Sequence, residues 1–107
     1  MDLRQYQIVL VNLDPTIGSE IKKTRPCVII SPDEMNRHLR TIVLAPMTSN
    51  LKPYPTRVAV FQNNRPGMMV IDQIRTVDKS RIVRILGKLS SDEIVLCKRV
   101  IQETFVD

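Results

Sequence analysis

Tryptophan is missing from this 107-residue chain, and only two Tyr and two Phe are present. Val, Ile and Leu must therefore fill the interior. The shortage also argues against an aromatic sheet face of the kind on which RNA-recognition motifs stack bases. A single histidine, His38, closes the paired-histidine route to acid–base chemistry within one subunit. It follows a turn and is given no role. Cys27 and Cys97 lie far apart, each inside an apolar run, and with one His they offer no zinc-site spacing. They read as buried free thiols in a reducing compartment. The apolar run at residues 8–11 is too short for a signal peptide, and nothing approaches the length of a membrane span. A cytoplasmic protein is expected, with no metal and no cofactor.

What is present is positive charge. Sixteen Lys and Arg against eleven Asp and Glu leave a formal charge of +5 and a pI near 9.6. Such a balance favours polyanionic partners: nucleic acid, acidic protein segments or anionic membrane. The length suits one domain over residues 1–107. A chain this short has a thin core, which dimerisation would supplement.

Short β-type segments come first. Residues 6–13 (YQIVLVNL) are apolar and β-branched and stop at the Asp14-Pro15 turn signal. Residues 15–24 are polar around Gly18 and predict an exposed loop. Residues 26–31 (PCVIIS) predict a buried strand, with Pro26 tolerated at its first position. Pro32 is pre-organised to start a helical turn over residues 32–36. Residues 41–47 (TIVLAPM) predict a third strand, and two prolines keep residues 51–55 irregular. Residues 56–61 (TRVAVF) alternate with the period of a half-buried strand. A turn is expected over residues 63–67 (NNRPG), followed by a strand from Met68. Further short strands are expected at residues 74–77 and 82–86. The Met68-Met69 pair suits a core or a dimer surface. The end differs. Ser90 and Glu93 form a capping-box pattern, and Ile94, Cys97, Ile101 and Phe105 make one helical stripe. Many short strands closed by one helix suggest a small barrel.

Residues 11–36 (VNLDPTIGSEIKKTRPCVIISPDEMN) resemble the opening signature of the MazF/PemK toxins. In that family a first strand ends at an Asp-Pro turn, a Gly-Ser-Glu loop follows, and an Arg-Pro pair begins the second strand. Residues 45–49 (APMTS) and 72–78 (DQIRTVD) match two further blocks in the family's order. One departure stands out: Tyr6 and Gln7 occupy positions where members commonly carry Gly-Asp or Gly-Glu. The resemblance implies a mainly β fold, the CcdB/PemK-like plasmid-maintenance-toxin fold: an SH3-like barrel of antiparallel strands with a C-terminal helix. It also implies a homodimeric endoribonuclease that cleaves single-stranded RNA at short motifs without metal and is neutralised by an antitoxin.

RNA cleavage without metal usually proceeds by attack of the ribose 2′-OH on its own phosphate. That step needs a base, an acid for the leaving 5′-oxygen and cations for the crowded phosphorane. Arg25 can hold two phosphate oxygens in its planar fork, and its high pKa favours charge stabilisation over proton donation. Family precedent proposes the acid role instead. A solvated surface arginine is the plain alternative. Thr48 can donate a hydroxyl hydrogen bond to phosphate or simply cap a turn, and the family pairs this Thr with the Arg. Glu20 is the sole carboxylate of the first loop, hence the available general base or a solvated loop charge; Lys22 and Lys23 beside it would keep it ionised. Ser19, Lys22, Lys23, Ser49, Asn50 and Lys52 are candidate substrate contacts. Asp72 and Gln73 are candidates for reading base edges, and Arg75 for gripping phosphate or stacking. Asp72 has a structural alternative, holding Arg75 or a turn in place. Cleavage specificity is expected from the loops at residues 18–24 and 50–55. Two other classes remain open on the same barrel: a non-catalytic RNA- or protein-binding module, and a CcdB-like gyrase poison.

Overall fold

A computed structural model describes residues 1–13 and 24–106. In chain order the elements are β1 (Gln7–Asn12), β2 (Thr24–Ile29), α1 (Asp33–His38), β3 (Thr41–Thr48), β4 (Arg57–Gln62), β5 (Arg65–Val70), β6 (Arg75–Asp78), β7 (Ile82–Lys88) and α2 (Ser91–Phe105). Single 3-10 turns at Ile71–Gln73 and Lys79–Arg81 flank β6. All pairings are antiparallel, in the order β4-β5-β3-β2-β1-β7, with β6 on β3 beside the β5 contact. The β1–β7 pairing shifts register twice, between Ile8 and Val9 and between Leu10 and Val11. Such irregularities strengthen twist and help the sheet curl.

The curl explains why β2 and β3 read as unbroken apolar runs. Successive residues point to opposite faces, and here both faces are buried. Ile8, Val28, Ala45, Val58 and Met69 meet Cys97 and Val100 of α2 in one core. Their neighbours Val9, Cys27 and Leu44 join Val11, Ile29, Ile42, Val77 and Ile82 in the other, enclosed by the curl. Met69 is wholly enclosed and Met68 almost so, which makes the pair core. Both cysteines are free and fully buried, as their apolar settings predict.

The helix α2 starts where the sequence places it. Ser90 accepts from Glu93 N, and Glu93 Oε1 accepts from Ser90 N at 2.8 Å. Phe105 is the departure: it is exposed, and Val100 is buried in its place. The stripe meets the sheet only through the middle of the helix, and its last turn remains in solvent. A second difference concerns residues 63–67. The turn is only Asn63-Asn64, both at positive φ (52° and 58°), and β5 already begins at Arg65. Two left-handed residues between paired strands make the tight hairpin turn that matches sheet twist. Pro66 is tolerated in β5 because the β3 partner extends only to Thr48↔Met68.

Tyr6 enters β1 at φ 70°, a backbone that glycine adopts without cost. Its N–H donates to Ile29 O at 2.7 Å and its carbonyl accepts from Leu89 N at 2.9 Å. Those two bonds, and the packing of its ring against the α2-side core, hold it there. α1 is anchored by buried Ser31 and Asn36: Asn36 Nδ2 donates to Ser31 O at 2.9 Å, and Val43 N to Ser31 Oγ at 3.1 Å.

Candidate active-site cleft

Two prolines shape the site. The β2–β3 pairing runs Ile29↔Leu44, Val28↔Ala45, Cys27↔Pro46 and stops. Pro26 and Pro46 have no N–H with which to extend the ladder. Continuing the same register by two residues sets Arg25 opposite Thr48, past the end of the pairing. There the strand ends open into a cleft of about 690 Å³. Leu10, Pro26, Met47 and Leu86 give it apolar walls, and Gly67 comes close to β3. A Cβ at Gly67 would stand 3.2 Å from Met47 Cε and 3.4 Å from the Thr48 carbonyl oxygen, so a side chain would crowd this wall.

Among the described residues the cleft has no acid. Arg25, Arg65 and Arg84 line it, with Thr24, Thr48, Ser49, Gln62 and Asn63 as its neutral polar groups. None of the three guanidiniums is ion-paired among the described residues, whereas Arg4, Arg57 and Arg99 each face a carboxylate. Unpaired guanidiniums in a partly apolar recess form an anion site, since low-dielectric walls strengthen their field.

Thr48 is set for donation. Its Oγ1 accepts from Asn50 N at 3.1 Å, so the hydroxyl caps the turn and its own proton stays free for a ligand. The turn-capping and donor readings of Thr48 are thus compatible. Arg25 is exposed, and its carbonyl accepts weakly from Cys27 Sγ at 3.6 Å. Burial pushes the Cys27 thiol up to about 12, against the opposing pull of the Arg25 and Arg75 charges. Both guanidiniums therefore act on the same thiol, although Arg75 lies on β6, opposite Leu44. Cys97 is raised by burial to about 11. Neither thiol is available as a nucleophile near neutral pH.

The structure brings together Arg25, Thr48 and Ser49 of the sequence candidates. Asn50 and Lys52 are exposed just beyond the lining, joined by Lys52 N donating to Asn50 Oδ1 at 3.2 Å. Asp72, Gln73 and Arg75 are exposed and lie outside the lining. Asp72 Oδ1 accepts from Thr56 Oγ1 at 2.7 Å and sits 3.9 Å from Arg57 Nε, so it ties down the approach to β4 rather than Arg75. Ser19, Glu20, Lys22 and Lys23 lie outside the described residues. Five polar lining residues were not among the candidate site residues: Thr24, Gln62, Asn63, Arg65 and Arg84. Arg84 had a signal, a lone cation inside an apolar strand, and Asn63 had one in its Asn-Asn turn.

Residues 4–105 match the family model described as PemK-like, MazF-like toxin of type II toxin-antitoxin system. An endoribonuclease MazF of Staphylococcus epidermidis is 31% identical over 99 residues, covering 87% of this chain and 82% of that protein. Among solved structures, a MazE–MazF complex of Deinococcus radiodurans superimposes with a TM-score of 0.82 at 23% identity, covering 97% of this chain and 96% of that one. The Mycobacterium tuberculosis toxin MazF-mt6 superimposes with a TM-score of 0.79 at 24% identity, covering 92% and 95%.

Proposed function

The chain belongs to the PemK-like, MazF-like toxins of type II toxin–antitoxin systems and acts as an endoribonuclease of that family; we propose that it cuts single-stranded RNA by 2′-OH attack, at the Arg25–Thr48 end of the cleft. The observation that carries the site is the cleft, without an acid among the described residues, in which the strand register sets Arg25 opposite Thr48 past the end of an interrupted strand pair. The ribose 2′-oxygen attacks the adjacent phosphorus, the P–O5′ bond breaks, the departing O5′ takes a proton from water, and the products are a 2′,3′-cyclic phosphate and a 5′-hydroxyl. Arg25 balances the charge that accumulates on the phosphorane oxygens, as fixed donors aimed at developing charge do. Thr48 donates a hydrogen bond from its hydroxyl to a phosphate oxygen. Glu20 is the proposed base for the 2′-hydroxyl proton, and Ser19, Lys22 and Lys23 the proposed contacts from the same loop. Ser49, Asn50, Lys52 and Arg75 are proposed to hold the flanking chain, with Arg65 and Arg84 now added on the cleft walls.

The protein is proposed to work in the cytoplasm as a homodimer. Val83, Ile85, Phe105 and Val106 leave apolar area in solvent that a second copy would cover. An antitoxin with an acidic, poorly ordered tail is the proposed regulator, drawn to the same unpaired guanidiniums. Incubating the purified protein with a defined single-stranded RNA in EDTA tests the chemistry. Fragments ending in cyclic or 3′-phosphate are expected. Intact RNA that is nevertheless bound would return the chain to a binding module.

A further inference from the structure

The cleft has a second end, built from the β4–β5 hairpin, and no candidate from the sequence lies there. Val58 and Val60 point inward along β4, and Gln62 continues that series where the core gives way to the cleft. Its partner across the hairpin is Arg65. Directly opposed residues share a face, so the Gln62 amide and the Arg65 guanidinium project side by side. An arginine supplies donors only. The Gln62 amide nitrogen is enclosed and has no hydrogen-bond partner among the described residues. A buried donor without a partner is costly and rare in folded proteins, and it calls for an explanation. The tight Asn63-Asn64 turn fixes the hairpin, and Gly67 lets it lie close to Thr48, so this donor pair is held in the same recess as the proposed reaction centre.

We propose that Gln62 reads a nucleobase of the RNA, its side chain turning out of the enclosed position so that the unpartnered amide N–H donates to an acceptor on the base edge, while Arg65 holds the neighbouring phosphate. This rests on the endoribonuclease reading and deepens it by placing sequence selection on the hairpin. A neutral, directional amide suits a base edge, whereas a guanidinium suits phosphate. The Asp72–Gln73 pair, which lies outside the cleft lining, then has no need to read bases.

The test is to digest a long mixed-sequence RNA with wild type, Gln62→Met and Arg65→Ala, and to sequence the new 5′ ends. Methionine keeps the length of glutamine and removes the unpaired donor, so Gln62→Met should melt at or above the wild-type temperature. It should still cut, with the base preference at one motif position reduced roughly tenfold and the other positions kept. Arg65→Ala should weaken cutting evenly across sequences and lessen its salt dependence. A motif unchanged in Gln62→Met, or an even loss across all sequences, would overturn the proposal and leave Gln62 a filler at the end of the core. Gln62→Glu, which replaces the donor with an acceptor, must alter the same position and covers the case of a poorly folded Met variant. If wild type cuts no RNA, the nuclease reading falls and this one with it.

Discussion

At the scale of single residues, the proposed roles of Arg25 and Thr48 differ in kind. Arg25 brings a full charge that acts on bound RNA and on the phosphorane alike. Thr48 brings one proton whose best acceptor is an oxygen gaining charge in the transition state. Thr48→Ala should therefore lower single-turnover cleavage by about 10- to 100-fold while RNA affinity changes little. A loss confined to affinity would make Thr48 a binding contact only. Tyr6 offers a separate check on the backbone. A left-handed conformation costs a non-glycine residue about 1 kcal/mol or more, and Tyr6 offsets this through ring packing and two backbone bonds. Tyr6→Gly should thus be more stable than Tyr6→Ala by about 1 kcal/mol in urea unfolding, the reverse of an ordinary position. Equal stability would mean that the φ of 70° carries no cost.

Elements were legible in the sequence where a local rule decided them. The Ser90–Glu93 capping box, the turn after Pro32 and the apolar runs of β1 to β3 follow from neighbouring residues alone. The hairpin tip was blurred because Pro66 and Gly67 look like turn residues; only the absence of a β3 partner beyond Thr48 lets them sit in a strand. The Gln62–Arg65 end of the cleft was illegible for the same reason, since strand pairing, not spacing, unites it with Arg25. Phe105 continues the helical stripe but lies outside the core, because periodicity does not reveal where a helix outruns the sheet. Glu93 shows one residue joining two elements. Besides capping α2, its Oε2 accepts from Phe61 N at 2.8 Å, on the edge strand β4. Glu93→Ala removes both contacts and should destabilise the protein by about 1–2 kcal/mol. Glu93→Gln, which keeps one acceptor oxygen, should recover part of that loss. Identical urea midpoints for Ala and wild type would show that neither bond matters.

For the whole molecule, charge links substrate and regulator. The chain is basic by five charges, and the cleft concentrates guanidiniums without an acid among the described residues. An acidic antitoxin tail and an RNA backbone would compete for it, and salt would weaken the electrostatic share of both. Titrating a cognate antitoxin into a cleavage-deficient variant bound to RNA should release the RNA. Unchanged RNA affinity in the inhibited complex would require inhibition through a distant rearrangement.

That the Arg25–Thr48 cleft end is where RNA is cut is tested most directly by the single-turnover cleavage rate of Arg25→Ala at saturating RNA, with its melting curve recorded alongside. A fall of about 100-fold or more is expected, with the melting temperature close to wild type because Arg25 is exposed and unpaired among the described residues. A folded Arg25→Ala protein that cuts at nearly the wild-type rate would contradict the assignment.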